Sequence, residues 1–416
     1  SSADHSSNGN SVIHTKRYSD LSRRFSSSAN LRRSAPSTSQ TTLNLSAANT
    51  NKSPFFDICK EYNTVKLTCN DGFSVILCSV GASIRQILFP TSDGHLKNIA
   101  LAFDDDTACF SNSLYAGATL APCAGRISHG KLSINNTLYS LSLNENNTHT
   151  LHGGFHNASF KNWELISAEI SDENATVIFK IILEDGLDGF PGNREIKAIY
   201  MLKEDHTLTL RYEAVSDKDT YFNISNHTYF NLSGNFSDSA LTHRVQINAD
   251  QYISNTPEFI PENVLTVNNT PFDLRKIISL QEQILTYPDD IQIRQNLGFN
   301  HEYILNHNTS GQNINLPVSE HSELSDKSKT PDLICTAPDN SLQLQVTSDA
   351  PCVVIYSGGY FETGIKLKDN QFTTPNCALA FEFQGYLDAP GNHGFPYHIT
   401  KAKELWHREI CYRFLK

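Results

Sequence analysis

Thr207-Leu208-Thr209-Leu210-Arg211-Tyr212 alternates polar and apolar side chains without a break, and a period of two sends one set to each face of an extended strand. The alternation returns in Val245-Gln246-Ile247-Asn248-Ala249 and in Leu342-Gln343-Leu344-Gln345-Val346. Continuous apolar runs at Ala175–Leu183 and Cys352–Tyr356 predict strands buried on both faces. Asn70-Asp71-Gly72, set between Val65–Cys69 and Phe73–Leu77, is a hairpin signature because glycine accepts positive φ. Ile84–Phe89, Ser92-Asp93-Gly94 and Leu96–Ala102 repeat the pattern. Helical periodicity is confined to Ser279–Leu285, enough for one turn or two. Many strands joined by turn residues predict an all-β chain, a large antiparallel β-sandwich with few short helices.

The bulk properties narrow the function. The chain has 416 residues, 39% of them hydrophobic and 10% aromatic, so a large core is within reach. A net charge of −11 argues against nucleic acid and anionic membranes, which need a basic face, and is compatible with a neutral small molecule. No apolar run approaches the roughly 20 residues that span a bilayer. The nine cysteines are scattered and form no CxxC pair, which predicts buried thiols in a reducing compartment rather than a zinc cage or a disulfide framework. Asn-x-Ser/Thr triplets are those expected of a chain rich in these residues. Residues 1–54 read as a disordered, Ser-rich basic tail, since 1–50 hold fourteen serines and six basic against two acidic residues. Arg23-Arg24 and Arg32-Arg33 fit an organelle transit segment by composition, and a plain solvated extension fits equally. Residues 55–416 read as a single domain, cytoplasmic and monomeric or homodimeric, with a polar insertion at about 308–330.

The next step outward is Asn223-Ile224-Ser225-Asn226-His227-Thr228-Tyr229-Phe230-Asn231-Leu232-Ser233-Gly234, where strand-forming residues carry many amides and hydroxyls around one histidine. A strand so polar on the face it should bury lines a cleft, or else holds a satisfied core histidine. In Leu379-Ala380-Phe381-Glu382-Phe383-Gln384, period two puts Ala380, Glu382 and Gln384 on one face, and a carboxylate there must be paired, protonated or functional. Arg126, in Ala124-Gly125-Arg126-Ile127, is either a loop brace or a binding residue. His149 and His152 stand three apart without a third ligand at a suitable spacing, so no metal is expected, and Gly153-Gly154 permits close backbone approach. Gly298-Phe299-Asn300-His301-Glu302-Tyr303 is a further polar cluster at a strand end. Glu382 and His227 together offer a base and an acid for one substrate. No nucleophile elbow, Walker loop or dinucleotide fingerprint occurs, so acyl transfer, phosphoryl transfer and nucleotide-dependent redox lack support. Glycoside hydrolysis needs a second carboxylate facing Glu382, for which Asp388 and Glu362 are the candidates.

These clusters, in this order, resemble the aldose 1-epimerase (galactose mutarotase) family. The resemblance runs from about residue 60 to the C-terminus. It rests on Gly-Ala-Ser-Ile at 81–84, Leu-His-Gly-Gly at 151–154, Gly-Phe-Pro-Gly-Asn at 189–193 and Asn-His-Thr-Tyr-Phe-Asn-Leu-Ser-Gly at 226–234. It continues through Thr-Pro-Phe-Asp-Leu-Arg at 270–275, Phe-Glu-Phe-Gln at 381–384 and Asp-Ala-Pro…Asn-His…Phe-Pro at 388–396. The resemblance implies a β-supersandwich that interconverts α and β anomers of hexoses such as galactose or glucose without a cofactor. By motif position it makes Glu382 the general base and His227 the general acid, with Arg126, His152, Asn300 and Gln384 as sugar-binding residues. A reaction that runs in both directions makes the two residues exchange roles, which favours a raised carboxylate pKa and a histidine titrating near neutrality. Three places depart from the family pattern. Asn300 stands for an aspartate, Gly125 for an asparagine, and Val354 and Gly359 for Gln and Asn. The expected activity is therefore mutarotation of a free aldohexose. Altered preference for a phosphorylated or modified sugar, and a non-catalytic sugar-binding module, are the alternatives.

Overall fold

Most of the described chain pairs into three sheets, and the largest follows the alternation read above. The computed structural model describes residues 39–44, 62–105, 108, 113–308, 329–391 and 394–416. Nine strands form one sheet in the order Glu164–Ile170, Ala175–Leu183, Arg194–Leu202, Thr207–Ser216, Trp406–Leu415, Gln343–Ser348, Leu333–Thr336, Arg244–Ile247, Ile278–Ser279. All of its pairings are antiparallel. A five-stranded sheet holds the foreseen hairpin, with Asn63–Thr68 and Ser74–Cys78 flanking the Asn-Asp-Gly turn. Two short α-helices, Leu280–Thr286 and Ile291–Asn296, are the only ones among the described residues. No helix there is long and apolar enough to cross a membrane.

Ten short strands carry the site. They are β1 (Thr119–Leu120), β2 (Arg126–Ile127), β3 (Thr150–Leu151), β4 (Ser225–Asn226) and β5 (Tyr229–Phe230). Then follow β6 (Gln251–Asn255), β7 (Pro261–Thr266), β8 (Asn300–Ile304), β9 (Cys352–Tyr356) and β10 (Leu379–Gln384). Six of them form a sheet in the order β5-β10-β9-β8-β6-β7. Alternation along β10 explains how this sheet serves two purposes. Phe381 and Phe383 point into the main core, which they share with Phe230, Tyr412 and Phe414. The Phe230 ring lies 5.9 Å from Tyr412, joining the six-stranded to the nine-stranded sheet. Ala380, Glu382 and Gln384 therefore face away from that core.

Three readings change. Ala175–Leu183 is not buried on both faces: its burial alternates, and Ile182 is 55% exposed, because only one side of this strand meets the core. The polar stretch at 223–234 is not one strand but β4 and β5, which pair in different sheets with His227 between them. Within the stretch expected as a tail, Ser39–Asn44 pairs in parallel with Asn63–Thr68, whose edge is otherwise open. Its Thr-Thr-Leu centre is of strand-forming type. The described residues all fall in one compact unit, Pro36–Lys416. The rest of the 1–54 tail, most of the 308–330 insertion, and Asn392 and His393 lie outside the described residues.

Candidate active site

The polar side chains of the 223–234 stretch act as brackets. Asn223 Oδ1 accepts the Gly385 N–H at 2.7 Å, and Ser225 Oγ donates to the Phe383 carbonyl at 2.8 Å, fixing β4 to the end of β10. Asn226 Nδ2 donates to the Gly117 carbonyl, while its Oδ1 accepts the Thr228 N–H and hydroxyl. The backbone of His227 is held on both sides, by Ala118 and Gly117. This fixes the backbone that carries the ring, and Nε2 lies 3.3 Å from Glu382 Oε1. His227 is 4% exposed and Glu382 5%.

Burial sets the charge of the pair. Removal from water pushes the Glu382 carboxyl up to about 8, against a smaller downward pull from the Arg126 charge. The same loss of water pulls His227 down to about 4. The raised carboxylate agrees with expectation. The histidine near neutrality does not, because the imidazolium is desolvated too. At neutral pH the two groups hold one proton between them, and burial favours it on Glu382. No protein group bonds His227 Nδ1 among the described residues.

His152 and Arg126 converge on the pair, and β2 pairs with β3 to bring them there. The Gly125 N–H donates to His152 Nδ1 at 3.0 Å, and desolvation holds His152 well below its ordinary range. Its proton therefore sits on Nε2, making it a neutral donor. Its ring meets His227 edge-on with centroids 5.6 Å apart, and Tyr115 lies 4.5 Å from His152. Arg126 is braced: its Nε and Nη2 each donate to a Glu145 oxygen at 2.6 Å, and it lies over the Phe259 ring. Gly125 has a local cause here, since a Cβ at this positive φ would come 2.0 Å from Leu387 Cδ2. The close approach predicted for Gly154 is to the Asp188 carboxylate, which accepts the N–H groups of Phe155 and His156. His149 turns elsewhere, to Glu258 at 2.7 Å. Among the described residues no group of three His, Cys, Asp or Glu is spaced to hold a metal ion.

The register of β8, β9 and β10 puts the remaining candidates on the Glu382 face. Glu302 pairs with Val354 and Val354 with Glu382, while Asn300 pairs with Tyr356 and Tyr356 with Ala380. Gln384 pairs with Cys352 and is fully buried, with neither amide atom bonded within the described protein. All six sequence candidates thus share one region or one sheet face. Neither proposed second carboxylate qualifies. Asp388 is bound by the Ser128 N–H and hydroxyl at 2.8 and 3.0 Å, and Glu362 is exposed. Sequence reasoning missed Glu145, which sits in an Asn-rich turn with no distinguishing pattern, and Glu302. For Glu302 the signal was present: it stands two residues after Asn300 on a strand, hence on the same face.

The family profile described as aldose 1-epimerase matches residues 63–413. Aldose 1-epimerase of Escherichia coli K12 is 26% identical over 336 residues, covering 80% of this chain and 89% of that protein. Galactose mutarotase of Rattus norvegicus is 25% identical, covering 83% and 92%. Among solved structures, a galactose 1-epimerase from Lactobacillus acidophilus superposes with a TM-score of 0.70 at 26% identity, covering 87% of this chain and 96% of that one. A GalM/aldose epimerase homologue from C. elegans shares the fold, with a TM-score of 0.72 over 85% and 99% of the two chains at 22% identity.

Proposed function

The chain belongs to the aldose 1-epimerase family, isomerases that interconvert the anomers of aldoses, and on that premise we propose that it acts on a free aldohexose, galactose or glucose, through Glu382 and His227. The observation that carries this reading is the 3.3 Å approach of two buried, oppositely shifted groups on one proton. In the productive form Glu382 is a carboxylate and His227 an imidazolium. Glu382 takes the proton from the C1 hydroxyl as His227 gives one to the ring oxygen, the C1–O5 bond breaks, and the aldehyde forms. Rotation about C1–C2 and reclosure with the roles exchanged deliver the other anomer. Ring opening leaves Glu382 protonated and His227 neutral, which is the distribution burial favours. The charged starting pair is the costly one, and Arg126 offsets part of that cost by favouring the carboxylate.

His152, a neutral donor, supports the ring oxygen, while Asn300 and Gln384 supply hydrogen bonds to hydroxyls. Nε and Nη2 of Arg126 both engage the Glu145 carboxylate, which balances much of its charge and favours a neutral sugar over a phosphorylated one. Among the described residues, seven buried cysteines outside any disulfide suit a reducing, cytoplasmic setting.

Polarimetry of freshly dissolved α-D-galactose and α-D-glucose tests the reading. Rotation should relax faster with the protein than in buffer for at least one of them, and relaxation at the buffer rate for both removes it. A pH profile follows from the pair. The singly protonated state exists between His227 protonation at about 4 and Glu382 ionisation at about 8. Activity should hold between these limits, fall in more acid solution as both groups take protons, and fall above the upper limit as both lose them. A rate that keeps rising beyond pH 9 contradicts the assignment.

A further inference from the structure

We propose that Glu302 is the specificity-determining residue of this site, hydrogen-bonding the hydroxyls on the edge of the sugar ring opposite the anomeric carbon. The inference rests on the reading that Glu382 works at C1. Glu302, Val354 and Glu382 lie in cross-strand register on three adjacent strands. Neighbouring strands are about 4.8 Å apart, so the outer two backbones stand about 10 Å apart. Two carboxyls of equal length rise from the same face, with a valine between them that offers only methyl groups. That is a cradle for one pyranose ring: apolar under the C–H face, with a hydrogen-bonding group at each end.

Glu302 is built to stay there. It is 3% exposed, and its oxygens accept the Leu387 N–H at 3.0 and 3.2 Å, with Cys352 as a second donor. A protonated carboxyl offers an O–H donor besides its acceptor positions, so these donors do not saturate it. Burial, with a smaller contribution from the charge of Glu382, raises the Glu302 carboxyl to about 8. The two carboxyls therefore sense one another.

A second observation points to a ligand. Gln384, on the same face and paired with Cys352, is fully buried with both amide atoms unbonded in the described protein. An amide left so carries a large desolvation cost unless a polar molecule meets it. Asn300 stands two residues before Glu302, one side-chain step along the same face, and adds a polar group beside it.

The test measures mutarotation kinetics of wild type and Glu302→Gln on D-galactose and on its 2-, 3- and 4-deoxy derivatives. The variant should raise KM about tenfold for galactose and 2-deoxygalactose, the usual loss for one hydrogen bond to an ionisable group, with kcat nearly unchanged. For the 3- or 4-deoxy sugar that lacks the recognised hydroxyl, wild type and variant should share one KM. An equal factor for all four sugars overturns the proposal. So does an unchanged KM with only a lowered melting temperature, which would make Glu302 a brace for Leu387. If wild type accelerates none of the sugars, the acid–base reading fails by itself. NMR titration of the same four sugars into wild type and variant then supplies the same comparison as binding constants.

Discussion

Glu382→Gln should lower kcat for mutarotation by about 10²–10⁴-fold, the usual contribution of a positioned acid or base, with KM changed only a few-fold. Gln is nearly isosteric and leaves β10 undisturbed, so the loss reports the missing proton acceptor. The neutral amide also removes the ionisation at about 8. The residual activity then depends on protonated His227 alone and should fall as pH rises through about 4, whereas the wild type holds up to about 8. A variant at full rate places the base elsewhere. Among the described residues, Glu302 is the only other carboxyl set in register with it across the sheet.

His227→Asn should cost a comparable factor by a different route. The amide is too short to reach the place that Nε2 holds 3.3 Å from Glu382, and it cannot carry a proton to the ring oxygen. With no shared proton left, Glu382 must ionise to act as base, so the residual rate should rise with pH through about 8 where the wild type falls. Because the two groups share one proton, the double variant should lose much less than the product of the single losses, as expected of residues that act as a unit. Multiplicative losses indicate separate roles. The backbone bonds of His227 to Gly117 and Ala118 do not depend on its ring, so both variants should fold.

Much of this molecule was legible in the sequence because strands advertise themselves by period two. The hairpin at Asn70-Asp71-Gly72 and the helix near Ser279–Leu285 lie where they were expected, the helix within a residue. The helix Ile291–Asn296 escaped because Ile-Gln-Ile-Arg-Gln alternates as a strand does. What decides it is Asp290, whose side chain caps the Ile293 N–H at 2.9 Å. Glu382 was legible as a carboxylate out of place between two phenylalanines. Its long-range partners were less so. The Arg126–Glu145 brace and the row Glu302–Val354–Glu382 depend on a loop fold and a strand register, which local pattern does not encode. The histidine shift was also out of reach, since desolvation depends on what closes over a side chain rather than on its neighbours in the chain. Residue type offered an acid and a base, and burial set the charge of the pair.

The most direct measurement is two-dimensional exchange NMR on an equilibrium mixture of galactose anomers with the wild-type protein. Nothing net is converted, so only interconversion is seen. Exchange cross-peaks between the α and β C1 protons should build up faster than in buffer, and the acceleration should collapse with Glu382→Gln. Cross-peaks no stronger than in buffer, for galactose and for glucose alike, would contradict the account.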